Sequence, residues 1–222
     1  MELNDNYNQL ADRFIQLKES ILTNVATKNI FRMKFLNRYS FFFLLVLVIA
    51  SCEKTENEDF YSGGIIKNGS TEFGNLKPDN WLSYAGGYIT SWDSKESFDG
   101  KHSLKIESTD STSDNIAYWY QSITDSIPFN KKVKLDLLIK LDKITGEGID
   151  LMLRGDDKDG NFVFSESSQG ITKYLGSSNW KMISLELKQE IPSNVSYLSV
   201  ILIMSVHTKG SVYYDKISLT EL

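Results

Sequence analysis

KVKLDLLIKL, residues 132–141, is the stretch that decides the fold. Every second position is apolar, and most of the residues between these positions are polar or charged. The apolar residues are Val133, Leu135, Leu137, Ile139 and Leu141. Successive side chains of a strand point to opposite faces, so this alternation predicts a β-strand with one buried face. Residues 148–155 and 182–188 repeat the alternation, and β-branched and aromatic residues are frequent in 196–206 and 211–219. The same prediction therefore extends to most of the second half of the chain.

Turn-forming residues separate these apolar runs. The clusters rich in Gly, Asp, Ser and Asn are residues 97–100, 145–148, 156–160, 176–179 and 209–210. No stretch of useful length after Cys52 has the period of a helix. About nine or ten strands at this spacing predict an all-β fold, an antiparallel two-sheet β-sandwich.

An uncharged apolar run, FFFLLVLVIA at residues 41–50, precedes Cys52, which is the single cysteine of the chain. Ten residues are too few for a helix that spans a bilayer, which needs about 20. Lys34 and Arg38 lie before the run, as in a signal peptide. Residues 49–52, Ile-Ala-Ser-Cys, resemble the bacterial lipobox, which implies that Cys52 is acylated and begins the mature protein. The alternative is a buried, unreactive cysteine in a core helix.

These features predict four segments. We expect residues 1–32 to be an upstream extension or non-native start before Met33, and 33–51 to be a lipoprotein signal peptide. Residues 52–64 form an acidic flexible tether, and 65–222 form the β-sandwich domain. The acidic run EKTENED at 53–59 resembles the surface-export signal of Bacteroidetes lipoproteins. That resemblance implies a lipid-anchored protein of the outer membrane, displayed on the cell surface.

The charge of the segment after Cys52 limits its partners. This segment contains 18 Lys and Arg against 25 Asp and Glu, a net charge of −7. An acidic surface argues against nucleic acid as a partner. With no second cysteine for a disulfide, stability must come from burial and from any bound metal.

Six short motifs occur in the order found in the galactose-binding-like jelly rolls. They are NGSTEF at 68–73, Trp81, FDGKHSLKI at 98–106, WYQSI at 119–123, NWK at 179–181 and YDKISL at 214–219. Together they resemble the carbohydrate-binding modules of families four, nine and twenty-two. The resemblance covers roughly residues 65–222 and implies a jelly-roll sandwich.

One candidate metal site involves Asp215. Its strand position matches Ile217 and Leu219, so the carboxylate should point inward, where an unpaired charge is costly. The family resemblance implies a structural Ca²⁺ between Glu72 and Asp215, with further oxygens from backbone carbonyls, and Ca²⁺ prefers oxygen ligands. The alternatives are hydrogen bonds to backbone amides or a pair with Lys101. The acidic turn at 156–161 does not have the spacing of an EF-hand loop.

A candidate carbohydrate-binding face contains two tyrosines. If Ile123 points inward, Trp119 and Gln121 do too, and Tyr118 and Tyr120 point outward. On the predicted strand 149–154, a core set of Ile149, Leu151 and Leu153 leaves Asp150 and Arg154 pointing outward. If the two strands share a sheet, all four side chains lie on one face. Trp92 has no obvious core partner and could cap this face. The predicted ligand-binding residues are thus Trp92, Tyr118, Tyr120, Asp150 and Arg154, because sugars stack on rings and bond to planar polar groups. The alternative is a set of surface aromatics beside an Asp150–Arg154 pair; Trp81 and Trp180 are expected to be structural.

Catalytic motifs are not evident in the sequence. The two histidines, His102 and His207, are far apart, and no Gly-x-Ser-x-Gly or Cys/His arrangement occurs. The paired-carboxylate strand signature of jelly-roll glycosidases is also missing, and Glu166 and Glu186 stand alone. We therefore expect a non-catalytic protein.

Two functions remain open at this point. The first is a surface lipoprotein with a carbohydrate-binding module, which holds a poly- or oligosaccharide whose identity the sequence does not give. The second is a structural or interaction subunit of an outer-membrane protein complex, which uses the same sandwich without a sugar.

Overall fold

The computed structural model describes residues 65–110, 113–169 and 174–222, which belong to the compact unit Glu56–Leu222. The described residues form nine strands: β1 (Leu82–Tyr84), β2 (Ile89–Asp93), β3 (Ser103–Ser108), β4 (Ala117–Ile123), β5 (Val133–Asp156), β6 (Phe162–Ser167), β7 (Tyr174–Glu186), β8 (Tyr197–Met204) and β9 (Lys209–Glu221). These ranges contain no helix that is long and apolar enough to cross a membrane. Cys52 and the whole predicted signal segment lie outside the described residues.

All strand pairs are antiparallel, and the long strand β5 divides them into two layers. Its first half, Val133–Asp142, lies between β9 and β7, and β9 continues through β3 to β2. Its second half, Ile149–Asp156, lies between β8 and β6, and β8 continues through β4 to β1. We call these the first and second layers. The all-β sandwich predicted from the alternation is confirmed.

Three predicted turns lie within strands. Residues 145–148 fall within β5, residues 176–179 fall within β7, and residues 209–210 begin β9. At the first position the chain passes from one layer to the other, and the pairing of β5 with β9 shifts register between Asp142 and Thr145. Gly146 and Gly148 have positive φ there, so glycine marks a bend within a paired strand.

The core lies between the layers and follows the predicted alternation. Leu135, Leu137 and Ile139 of the first layer are fully buried, as are Leu151 and Leu153 of the second. On β7, the side chains of Ile183 and Leu185 are buried, whereas Met182 is 67% exposed. Burial of these alternating residues is the main force that holds the layers together.

Polar side chains tie the chain segments to this core. The Trp119 indole donates to the Lys105 carbonyl at 3.0 Å, which joins β4 to β3 of the other layer. The buried Gln121 amide both accepts from the Lys67 N–H and donates to the Lys67 carbonyl. Trp81 is 1% exposed and donates to the Asn68 carbonyl at 3.0 Å. Trp81 therefore has the structural position predicted for it.

Candidate functional site

The candidate ligand site is the outer face of the second layer. Strand register places Tyr118 opposite Ile203 and Tyr120 opposite Ile201 on β8, and β8 in turn places Ile201 opposite Met152 on β5. Residues directly opposite in a sheet share a face. We call this surface the tyrosine face and define it by Leu82, Tyr84, Tyr118, Tyr120, Met152, Arg154 and Ile201.

Three tyrosines form a row at one side of this face. The rings of Tyr84 and Tyr118 are stacked, with centroids 5.4 Å apart and an interplanar angle of 29°. Tyr118 and Tyr120 meet edge to face, with centroids 5.8 Å apart. Tyr84 is 48% exposed, and Tyr118 and Tyr120 are half-buried. The row therefore presents aromatic surface to solvent while its rings hold one another in place.

Arg154 lies on the same face, two strands away from Tyr118 and Tyr120, and is held by an ion pair with Asp156. Its guanidinium donates to both carboxylate oxygens of Asp156, with N–O distances of 2.8–3.0 Å. It also lies 5.7 Å from the centre of the Phe162 ring. The Asp156 charge raises the pKa of Arg154, mainly through these hydrogen bonds. The ion pair supplies fixed donors and acceptors with no net charge.

The exposure predicted for Asp150 is wrong. Asp150 lies on the expected strand row, opposite Ile203, but it is only 4% exposed. Its carboxylate accepts hydrogen bonds from the hydroxyls of Ser167 at 2.7 Å and Ser168 at 2.5 Å. Ser167 ends β6 and Ser168 follows it; both contact the carboxylate, and Arg154 pairs with Asp156 instead of Asp150. Strand parity gives the direction of a side chain but not what covers it.

The position predicted for Trp92 is also wrong. Trp92 lies in β2 of the first layer, opposite the fully buried Leu104, and it packs against the core. Its ring stacks on His102 with centroids 4.0 Å apart, and its indole donates to the Thr71 carbonyl at 2.7 Å. Trp92 thus belongs to the layer without the tyrosine face and cannot cap that face.

Sequence parity missed several residues of the tyrosine face. Leu82 and Tyr84 lie on β1, which has only three residues, too few for a periodic signal. Parity also missed the two partners of Arg154, namely Asp156 and Phe162, which flank the turn between β5 and β6, where the register shifts between Gly155 and Asp156. The spacing Leu-x-Tyr was the available signal for β1, because both side chains share one parity.

The predicted metal ligands, Glu72 and Asp215, both accept hydrogen bonds from backbone N–H groups of residues 98–102. Asp215 accepts hydrogen bonds from the N–H groups of Phe98 at 2.8 Å, Asp99 at 3.2 Å and Lys216 at 2.7 Å. Glu72 accepts hydrogen bonds from the N–H groups of Lys101 at 2.9 Å and His102 at 2.7 Å. The backbone bonds proposed as the alternative for Asp215 are therefore present.

The environment of Asp215 disfavours its negative charge. Burial, with a contribution from the charge of Glu72, raises the pKa of Asp215 to about 6 despite its three backbone hydrogen bonds. Two neighbouring carboxylates are the type of donor that a hard cation prefers, so the chemistry of the pair fits Ca²⁺. The described ranges contain no group of three or more acidic, histidine or cysteine side chains that could hold a metal ion. Further ligands would have to be backbone oxygens or water.

Glycine at position 100 is required by this arrangement. Gly100 has φ of +67°, and a Cβ there would lie 2.4 Å from the carboxyl carbon of Glu72. The backbone of residues 98–102 can therefore approach Glu72 closely because position 100 has no side chain.

Solved structures with a similar fold include proteins of different activity. No family model matches the chain, and no curated protein matches it. The tailspike protein 4 enzymatically active domain of bacteriophage CBA120 has a TM-score of 0.52 and 16% identity, over 74% of this chain and 23% of the tailspike chain. A cyclase from Fischerella sp. TAU has a TM-score of 0.50 and 16% identity, over 71% of this chain and 95% of the cyclase.

A third similar structure is the CBM22-1 xylan-binding domain of Paenibacillus barcinonensis Xyn10C. It has a TM-score of 0.47 and 18% identity, over 68% of this chain and 90% of that domain. The chain spans about a quarter of the length of the tailspike domain. At 16% identity and TM-scores of 0.52 and 0.50, the similarity to the tailspike domain and the cyclase concerns the fold alone, a sandwich that hosts several functions.

Proposed function

We propose that this protein is a non-catalytic carbohydrate-binding lipoprotein that holds a poly- or oligosaccharide on its tyrosine face. The observation that carries the proposal is the row of Tyr84, Tyr118 and Tyr120, with ring centroids 5.4 and 5.8 Å apart. Sugars present flat C–H surfaces that stack on aromatic rings, and a row of rings suits successive units of a chain.

The polar groups of the face support a sugar as the ligand. The Arg154–Asp156 pair offers N–H donors and carboxylate acceptors on the same surface as the rings. Because this pair carries no net charge, the face is suited to an uncharged glycan with many hydroxyls. The resemblance of the sequence motifs to carbohydrate-binding modules points to the same class of ligand.

We also infer a lipid anchor at Cys52 and display on the outer membrane. The support is the apolar run 41–50, the lipobox-like residues 49–52 and the acidic tether that follows. A surface position would give the tyrosine face access to extracellular polymers. A structural Ca²⁺ held by Glu72 and Asp215 would neutralise the two carboxylates beside residues 98–102.

The test is a binding screen of the full-length, detergent-solubilised protein against immobilised plant, algal and host polysaccharides. Individual sugar sites are weak, with binding free energies on the order of −4 to −8 kcal/mol, which correspond to millimolar to micromolar dissociation constants. Polymers and a high protein concentration are therefore needed. We expect at least one uncharged polysaccharide to retain the protein.

Variants then test the site itself. Tyr118→Ala and Tyr120→Ala should each weaken binding by about 1–2 kcal/mol, or roughly 5- to 30-fold, as expected for an aromatic anchor. Phe129→Ala is the matched control, since Phe129 is 41% exposed and lies between β4 and β5, outside the face. If no polysaccharide retains the wild type, the proposal fails and the protein-interaction subunit becomes the better interpretation.

A further inference from the structure

A cleft lies on the outer surface of the first layer, which does not carry the tyrosine face. Its volume is about 430 Å³, within the usual range for ligand sites. We call it the outer cleft; its lining residues are Glu96, Lys140, Leu141, Asp142, Ser177, Ser178, Asn179 and Tyr213. Seven of these eight residues have polar side chains, so the cleft is suited to a polar ligand.

Irregular strand pairing shapes the outer cleft. Between the pairs Ile139–Lys181 and Leu141–Ser178, β7 contains one residue more than β5. Between Leu141–Ser178 and Ile144–Gly176, the extra residue is on β5 instead. Bulges of this kind turn side chains away from the regular pleat and occur frequently beside functional sites. Here the two bulges follow each other along one strand pair, at the residues that line the cleft.

The charges in the outer cleft favour an uncharged ligand. Lys140 Nζ lies 2.5 Å from Glu96 Oε2, so these two charges compensate each other. Asp142 is exposed and adds a negative charge, which disfavours an anion. The cleft thus contains N–H donors on Lys140 and Asn179, carboxylate acceptors, and hydroxyls that do both. A molecule with many hydroxyl groups matches this mixture better than an anion or an apolar molecule.

One buried hydroxyl in the cleft is unsatisfied. Among the described residues, the Ser178 hydroxyl is one of two buried side-chain polar atoms without a hydrogen-bond partner; the other is His102 Nδ1. Nearly all buried polar groups in native proteins are hydrogen-bonded, so a lone group calls for a missing partner. Ser178 lines the cleft and is only partly buried, so rotation about its χ1 bond would bring the hydroxyl into the cleft, where a ligand hydroxyl would supply that partner.

We propose that the outer cleft is a second carbohydrate site, which takes one or two uncharged sugar units. The two sites lie on outer surfaces of different layers, so one domain would engage two chains or two segments of one chain. Two weak sites on one anchored protein increase the overall avidity for a polymer. The inference shares its ligand class with the proposed function, but it depends on a separate set of residues.

The experiment is an NMR titration of the ¹⁵N-labelled full-length protein in detergent micelles. The probes are uncharged hexasaccharides of glucose, xylose and mannose, each added separately, with calcium chloride as a further arm. We expect the backbone amides of residues 177–179 to shift with at least one hexasaccharide. The proposal is overturned if none of the three hexasaccharides shifts these amides, or if calcium chloride shifts them and no hexasaccharide does.

Variants separate the two sites. Asn179→Ala and Asp142→Asn should each weaken binding at the outer cleft at least 5-fold and leave the shifts at Tyr118 and Tyr120 unchanged. Tyr118→Ala should do the reverse. Glu186→Ala, an exposed change on β7 outside the cleft, is the control. If Tyr118→Ala also abolishes the amide shifts at 177–179, the protein has one site only and the proposal is overturned. If sugar shifts the amides at 177–179 but not those at Tyr118 and Tyr120, the proposed function fails while the site at the outer cleft is supported.

Discussion

Asp215 is a buried carboxyl whose ionisation should affect the stability of the fold. Its pKa is raised to about 6, mainly by burial, whereas the ordinary value in an unfolded chain is 3.8. The folded state therefore keeps a proton that the unfolded state releases between these two values. The stabilisation is complete below the lower value and is lost as the pH rises through 6.

Replacing Asp215 should flatten this dependence on pH. Between pH 7 and pH 5 the wild type should gain about 1.4 kcal/mol of unfolding free energy from this carboxyl, because one pKa unit corresponds to about 1.4 kcal/mol. Asp215→Asn cannot titrate and should lack that gain. Urea unfolding in EDTA at several pH values measures the unfolding free energy of both proteins. If this free energy changes with pH equally in the two proteins, the prediction is contradicted.

Calcium should act through the same carboxylate and Glu72. At 100 times its dissociation constant a ligand stabilises the folded state by about 2.7 kcal/mol, which for a domain of this size raises Tm by roughly 5–10 °C. Glu72→Ala and Asp215→Ala should remove this increase. Asp159→Ala is the control, because Asp159 lies in the exposed turn between β5 and β6. An equal Tm in EDTA and in calcium would show that the backbone amides alone satisfy the two carboxylates.

At the scale of single elements, Asp150 joins β5 to the end of β6. Its carboxylate accepts from the hydroxyls of Ser167 and Ser168, and the Ser168 hydroxyl in turn accepts the Leu151 N–H at 3.0 Å. Asp150→Ala would leave buried hydroxyls without their acceptor. We expect a loss of about 1–3 kcal/mol in unfolding free energy.

Hydrogen exchange and sugar binding together test that role. Exchange should accelerate at the end of β6 in Asp150→Ala, while affinity for a polysaccharide stays within about 2-fold of the wild type, well under 1.4 kcal/mol. Gln169→Ala is the control, since Gln169 is exposed and directly follows Ser168. A large loss of affinity in a variant that remains fully folded would restore Asp150 to the binding site.

The same elements show what the sequence could predict. The alternation in residues 132–141 predicts the strand and its buried side, because period two follows from strand geometry alone. It could not predict that β5 continues through 145–148 into the second layer, since glycine with positive φ marks a turn and a bend alike. The two bulges between β5 and β7 could not be predicted either, because they depend on how Leu141 and Ser178 pair across strands. Side-chain direction at Tyr118 and Tyr120 could be predicted, but the cover over Asp150 depends on a distant strand.

At the scale of the whole molecule, the proposed ligand surfaces and the proposed tether would together determine how the protein works. The tyrosine face and the outer cleft lie on outer surfaces of different layers, so a ligand bound to one surface leaves the other accessible. Residues 53–64 number twelve, and a fully extended chain of that length reaches about 40 Å. A tether of this reach would let an anchored domain turn either surface toward a polymer.

The anchor itself rests on Cys52, which lies outside the described residues. Cys52→Ala removes the sulfur that would carry the lipid, so the variant should leave the membrane fraction. Cys52→Ser gives the same test with a side chain of similar size. Membrane fractionation and intact-mass measurement compare each variant with the wild type, whose mass should exceed that of the unmodified chain from Cys52 by the mass of its acyl groups. If both variants stay membrane-bound and the wild type shows no added mass, the lipoprotein proposal fails, whereas glycan binding by the tyrosine face would still be open to its own test.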